Sequence, residues 1–336
     1  MEAELLEKIR KGDRLALSRI LTAVEAKTMQ GEGYLDALFS STGKAHKIGI
    51  TGPPGSGKST LVNALVKAFR ELDSKPKVAV LAVDPTSPFS GGAILGDRVR
   101  MLDTQSDPGV FIRSMASRGA LGGLAERTEA LSQIFDAAGY DLIFIETVGA
   151  GQSEVDIVNL AHTTIVVDVP GLGDDIQSIK AGILEIADIL VINKADHPGA
   201  DQTLRNLKTM IAMGKPSREL IASKHALQEI GNRPKETHAD PLIWTPPVHK
   251  TIASQQEGIH NVVKTILKHK DYLVKSGTFQ IKDHEILRRS LERQLSQSLY
   301  RAWQKNASQK EIEAVIAKLI RREISPKEAL NRLMAL

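Results

Sequence analysis

The stretch TGPPGSGKST, Thr51 to Thr60, constrains this 336-residue chain more than any other, because Gly52 to Ser59 satisfies G-x-x-x-x-G-K-[ST]. Backbone amides can wrap a polyphosphate only where side chains stay clear, and Gly52, Gly55 and Gly57 supply that clearance. Pro53, Pro54 and Ser56 complete the wrap, Lys58 reaches the β- and γ-phosphates, and Ser59, followed by Thr60, offers a hydroxyl to magnesium. The flanks agree. HKIGI (46–50) reads as a buried strand, and Leu61, Ala64, Leu65, Ala68 and Phe69 recur at helical spacing between Ser59 and Leu72. That helix aims its first amides and positive dipole end at the phosphates. A glycine-rich turn that merely holds a lysine is the alternative, and the strand-before, helix-after context argues against it.

Strands and helices then alternate. VAVLAVD (78–84) is a buried strand ending on Asp84, and a Pro/Ser/Gly-rich stretch follows that regains charge at Asp97 and Arg98. Such a loop stands where nucleotide switches place theirs. Pro108 to Arg113 predicts a short strand, Ser117 to Gly123 a second glycine-rich loop, and Leu124 to Ala138 a helix. YDLIFIE (140–146) is a buried strand ending in an acid; Thr164 to Asp168 and Ile189 to Ile192 are two more, with a helix from Ile176 to Ala187 between them. Trp244 to Ala253 supplies a last strand, whose start Pro246-Pro247 confine to an edge or entry position. The rhythm predicts an α/β fold of the P-loop NTPase kind, a mostly parallel sheet flanked by helices, with its site at the strands' carboxyl ends.

Helices bracket this core. Glu2 to Lys27 reads as two helices broken at Gly12-Asp13, with Asp13 capping the second, and Gly31 to Lys44 as looser chain. Beyond the helix after Asp201, the polar stretch 223–240 reads as irregular. The tail from Gly258 is helical: Leu287, Leu291, Leu295, Leu299 and Trp303 fall every four residues, and Ser308 with Glu311 and Ser325 with Glu328 form capping boxes. The expected division is an N-terminal helical brace (1–44), a nucleotide-binding domain (45–265) and a helical extension (266–336).

Composition narrows the chemistry. No apolar run approaches the roughly 18 residues that span a bilayer, and the charged, amphipathic start lacks a signal-type apolar region, so a cytoplasmic protein without membrane contact is expected. Cysteine is absent, which removes disulfides, thiolate metal sites and cysteine nucleophiles. From Lys264 to Leu336 there are 16 Lys/Arg against 8 Asp/Glu. Without interleaved aromatics this basic tail reads as a solvated or partner-facing helical surface rather than a nucleic-acid site.

Base identity comes from NKAD, Asn193 to Asp196. A carboxylate at Asp196 can accept from both N1–H and the 2-amino group of guanine, a donor pair that adenine lacks. Asn193 would tie this loop to the phosphate loop, and the stem of Lys194 would lie over the base. Glu146 stands where an acid at the end of a buried strand can hold magnesium, with the Gly149 amide sensing the γ-phosphate; the alternative is an acid that caps the next helix. Asp84 and Asp97 flank the first loop, and either could reach the metal or the attacking water. Ala150 occupies the place of the glutamine that orients water in Ras-like enzymes, so slow intrinsic hydrolysis, accelerated by a partner, is expected.

The segments GPPGSGKST, VLAVDPTSP, GGAILGDRVRM, ETVGAGQSE, PGLGDDIQSIKAGILEIAD and NKAD, in this order, resemble the MeaB/ArgK family of GTPases associated with methylmalonyl-CoA mutase, within the SIMIBI class of P-loop proteins. The resemblance covers about Leu5 to Ile259 and, in the tail, helical character only. It implies a homodimeric GTPase, using GTP, GDP and magnesium, that gates adenosylcobalamin delivery to an acyl-CoA mutase and protects or reactivates it. Carried over by residue, Lys58 and Ser59 bind phosphate and magnesium, Asp84 and Asp97 belong to a first switch, and Glu146 with Gly149 to a second. Asp174 and Lys180 fall in a third switch that answers the mutase. The residues alone read as a helix N-cap at Asp174-Asp175 and a solvated lysine. Where the family has Ser-Ala against the guanine edge, this chain has Ile252-Ala253, leaving the Ala253 amide, with Ser254 beside it, to serve.

Two other readings compete. A metal-insertion GTPase of the same class would show histidine or cysteine clusters, and the nine histidines here are scattered through the sequence. A kinase acting on a transport-system binding protein would need a catalytic aspartate in an H-R-D-like setting, which the chain lacks.

Overall fold

The elements run α1 (Arg14–Glu25), α2 (Met29–Leu38), β1 (His46–Thr51), α3 (Lys58–Arg70), β2 (Val78–Asp84), β3 (Val110–Ala116), α4 (Leu121–Ala137), β4 (Leu142–Glu146), β5 (Thr163–Asp168), β6 (Ile189–Ile192), α5 (Ala200–Met213), β7 (Val248–Lys250), α6 (Ile259–Lys275), α7 (Thr278–Asn306), α8 (Gln309–Ile320) and α9 (Pro326–Met334). The computed structural model describes residues 7–9, 12–84, 104, 106–116, 121–147, 159–171, 186–213 and 244–334. The strands form one sheet in the order β3-β2-β4-β1-β5-β6-β7, and each neighbouring pair is parallel. The order turns about β1, which lies between β4 and β5, and ligands in such sheets sit beyond the carboxyl ends of the strands at that point.

A parallel sheet must be covered on both faces, and alternate residues of each strand divide between two cores. Ile48, Ile50, Phe144, Ile165 and Val167 pack with Leu61, Leu65 and Phe69 of α3 and Ile259, Val262 and Ile266 of α6. On the other face Leu81, Ile143 and Ile145 meet Leu17, Ile20 and Leu21 of α1 and Leu131, Ile134 and Phe135 of α4. The brace is therefore part of the core rather than an attachment to it. Polar contacts fix its approach: the Asp136 carboxylate accepts the amides of Gly43 (2.7 Å), Lys44 (3.1 Å) and Ala45 (3.0 Å), just where the chain enters β1. The Arg14 guanidinium donates to the Val110 carbonyl at 2.7 Å and lies over the Phe111 ring.

Asp13 caps α1 as its position suggests, accepting from the Leu15 and Ala16 amides. The stretch from Gly31, expected to be loose, is helical instead. Thr28 caps α2 by accepting from the Gly31 amide at 3.0 Å, and Tyr34 and Leu38, four apart, are buried. The two glycines, Gly31 and Gly33, masked this signal. Helix α4 begins at Leu121, three residues before the expected start, and β3 runs to Ala116 rather than Arg113. The last strand contracts from the expected ten residues to Val248–Lys250 at the sheet edge. Pro247 still accepts the Leu190 amide at 2.9 Å, but a proline has no N–H to return, so the ladder cannot extend backwards.

The amino ends of β1 and β5 carry a buried histidine network. His46 Nε2 and His269 Nδ1 lie 2.7 and 2.8 Å from the Thr163 hydroxyl, whose single proton can serve only one of them. His162 Nδ1 accepts the Lys47 amide at 3.1 Å, so its proton is on Nε2, which donates to Asp283 at 2.8 Å. Burial, reinforced by the neighbouring His162, holds the His46 imidazole well below its ordinary pKa. Burial also lowers that of His162, against the opposing hydrogen bond to Asp283. Both rings are thus neutral in the fold, while in the unfolded chain they protonate near pH 6.5. The unfolded state binds more protons below that pH, so stability falls as the solution is acidified. The unfolding free energy, read from the denaturant midpoint, is expected to be flat above pH 6.5 and to drop between pH 6.5 and 5.5, by up to about 1.4 kcal/mol per pH unit for each ring. A midpoint unchanged across that window would contradict the neutral assignment.

The chain divides into two compact units, Met1–Asp283 and His284–Leu336. In the second, Ser308 and Glu311 close the expected capping box on α8, and the Glu328 amide donates to the Ser325 hydroxyl at the start of α9. The Trp303 indole donates to the Leu333 carbonyl, tying α7 to α9. Leu291, Leu295 and Leu299 of the four-residue leucine row remain 68, 57 and 62% exposed. No helix among the described residues is long and apolar enough to cross a membrane.

Candidate nucleotide site

Between β1 and α3 the chain must reverse within a few residues while staying pressed against β5. Gly52 has φ +144°, and a side chain there would meet the Val167 carbonyl at 2.1 Å; Gly57, at φ +83°, would place one 2.5 Å from Asn193 Nδ2. Only glycine fits both positions. The loop closes on its own lysine: Lys58 is buried and its Nζ donates to the carbonyls of Gly52 (2.8 Å) and Pro53 (3.0 Å). The lysine is thereby set at the start of α3, where the helix amides and their dipole also point. Ser56 is buried, Thr60 half-buried, and Pro54 and Gly55 form the exposed tip.

One strand over, Glu146 ends β4, and its Oε1 accepts the Ser59 hydroxyl at 2.6 Å. Both side chains are buried, at 4 and 6% exposure, a costly placement for a carboxylate and a hydroxyl brought together at the strand ends. The pairing satisfies one oxygen of each and presents an all-oxygen donor set beside the phosphate loop, the kind that hard divalent cations choose. Asp84 closes β2 on the same edge of the sheet. Asp97, Gly149, Asp174 and Lys180 lie outside the described residues.

Asn193 holds the second half of the site. Its Nδ2 donates to the Ser56 carbonyl at 2.9 Å, which joins the NKAD turn to the phosphate loop as expected. Its Oδ1 accepts both the Thr251 hydroxyl (3.2 Å) and the Ala253 amide (3.1 Å). That second bond corrects one expectation: the Ala253 amide is engaged by Asn193 and is not held free for a base edge. Ser254, next to it, is exposed. Thr251 is the residue that sequence reasoning missed. Besides reaching Asn193, its carbonyl accepts the Ala195 amide at 3.0 Å, so it braces the turn at two points. The only signal was its place directly before Ile252-Ala253. Lys194 adopts φ +54°, and Asp196 is exposed at the turn, its carboxylate available to a ligand.

A phosphate loop on the central strand, an acid-ended neighbouring strand and an asparagine bridge from that loop to the NKAD turn define a P-loop nucleotide-binding protein. The comparisons carry this further. The family model described as methylmalonyl Co-A mutase-associated GTPase MeaB matches residues 17–308, and the chain belongs to that family. It is a GTPase, and it binds GTP and GDP. The chain is 42% identical over 331 residues to a Pyrococcus abyssi relative that bears a provisional GTPase name, covering 98% of this chain and 95% of that one. It is 36% identical over 283 residues to GTPase ArgK of Escherichia coli, covering 83% of this chain and 78% of ArgK. A solved structure described as LAO/AO transport system kinase superposes with a TM-score of 0.68 at 26% identity, covering 99% of this chain and 96% of that one.

Proposed function

We propose that this GTPase serves an adenosylcobalamin-dependent acyl-CoA mutase of the methylmalonyl-CoA mutase type, gating cofactor delivery and protecting or reactivating the enzyme. Family membership supports the association with a mutase; the gating role comes from the resemblance of the motifs. The observation that carries the nucleotide half is the Asn193 bridge, since its 2.9 Å bond to the Ser56 carbonyl makes the base-reading turn and the phosphate loop one object. Gly52 to Thr60 wrap the phosphates, Lys58 offsets the charge that develops on the β–γ bridging oxygen, and Asp196 reads guanine while Lys194 covers it. The Ser59 hydroxyl and the Glu146 carboxylate fit magnesium, with Asp84 and Asp97 as further candidates. When bound, the ion would reduce charge on the phosphate oxygens. Glu146 and the Gly149 amide would report the γ-phosphate, and Asp174 and Lys180 would relay that report to the mutase.

The exposed leucine row of α7 supports self-association through the 266–336 extension, because large apolar side chains left in water at regular helical spacing mark an interaction surface. A homodimer in the cytoplasm, in contact with neither nucleic acid nor membrane, completes the reading. Capture of a cobalamin-dependent mutase by the purified protein, compared in GTP and in GDP, tests it; equal capture in both nucleotides, or none in either, would count against a nucleotide-read partner.

The likeness to a protein described as a kinase supports a second reading, phosphoryl transfer to a transport-system binding protein. GTP labelled at the γ-phosphate separates the two. Label released as free phosphate supports hydrolysis alone, and label retained on an added binding protein supports the kinase.

A further inference from the structure

Asp168 is a buried carboxylate that the nucleotide site described above does not use. It is the last residue of β5, the strand wedged between the two halves of that site. Its own carbonyl accepts the Asn193 amide at 2.8 Å, and the preceding carbonyl, of Val167, presses on Gly52. The side chain shares its face of the strand with Val166, which packs with Ile186, Ala187 and Leu190, and across β6 it pairs with Ile192. The residue is 6% exposed, and among the described residues its carboxylate accepts one hydrogen bond, from the next amide, Val169 N–H to Oδ1, at 2.8 Å. Of the charged groups on the adjoining elements, Lys58 donates to the Gly52 and Pro53 carbonyls, and Glu146 accepts from Ser59.

A carboxylate in apolar surroundings with so little support favours its neutral form, and burial does raise the Asp168 pKa, against the opposing bond from Val169. Because the backbone at the end of β5 touches both the phosphate loop and Asn193, a polyphosphate seated in that loop brings more negative charge close to the strand end, which penalises ionised Asp168 further. We propose that Asp168 sets the affinity of the phosphate loop: its carboxylate takes up a proton from solvent when a polyphosphate binds and gives it back on release. With Oδ1 occupied by the Val169 amide, the proton goes to Oδ2. The step is reversible and involves no other bond. It rests on the nucleotide-site reading above.

Asp168→Asn keeps the shape and the acceptor for Val169 while removing the charge. Calorimetric titration with GDP and with guanosine, each in two buffers of different ionisation heat, reads the consequence. At pH 7.5 the variant is expected to bind GDP roughly three- to tenfold more tightly than the natural protein, because a repulsion is gone. Guanosine, which has no phosphate, should bind both proteins equally. The natural protein should take up more protons per GDP than the variant. Loss of a merely structural residue would weaken binding, so tighter binding is the distinguishing result. Equal or weaker GDP binding by the variant, or identical proton counts, would overturn the proposal. Should the variant not fold, the natural protein decides alone: a GDP-to-guanosine affinity ratio that falls from pH 5.5 to 8 supports the proposal, and a constant or rising ratio overturns it. Absence of heat with any guanine nucleotide would instead sink the nucleotide site itself.

Discussion

Lys58→Ala is expected to lower single-turnover GTP hydrolysis by about 10²- to 10³-fold, the scale of removing one preorganised donor from developing charge. Lys58 sits within the loop that it serves, bound to the carbonyls of Gly52 and Pro53, so its removal deletes a cation and also loosens the backbone that carries the phosphate-binding amides. GDP affinity should fall less than the rate does, since the loop and helix amides remain. Phosphate release at saturating GTP measures the effect, and a drop of under tenfold would show that the charge is supplied elsewhere.

Asp196→Asn should invert base choice. In the proposed reading the carboxylate accepts two donors from guanine, and hydrogen bonds to a charged group are worth about 1.5–3 kcal/mol each, so losing one acceptor and gaining an opposed N–H should weaken GDP binding by about a hundredfold or more. Xanthine carries oxygen where guanine has its 2-amino group, and the new amide can donate to it. Xanthosine diphosphate is therefore expected to bind the variant more tightly than GDP does. Asp196 is exposed at the tip of a turn held by Asn193 and Thr251, so the substitution should leave the fold intact. Retained preference for GDP would show that another group reads the base.

The parts of this protein legible without a structure were those governed by local rules. Apolar strands alternating with amphipathic helices disclosed a parallel sheet, because two-sided burial demands continuous apolar runs. The phosphate loop and NKAD were readable because their chemistry lies in a few adjacent residues. Gly31 to Lys44 misled because two glycines outweighed a threonine cap and a Tyr34/Leu38 pair whose value appears only against α1. The last strand was overextended because β propensity says nothing about whether a neighbour offers a partner; only three residues of that segment have one in β6.

By itself the sequence determined that a phosphate-loop motif opens a helix, that an NKAD turn follows a later strand, and that no cysteine chemistry is available. Tertiary structure decided how those pieces meet. It placed β5 between the two loops, spent the Ala253 amide on Asn193, brought Glu146 onto Ser59 across 87 positions of sequence, and buried three histidines beneath the sheet. Short-range chemistry is written in neighbouring residues, whereas the partner of a side chain is set by which strands the chain lays side by side, and no single segment carries that information.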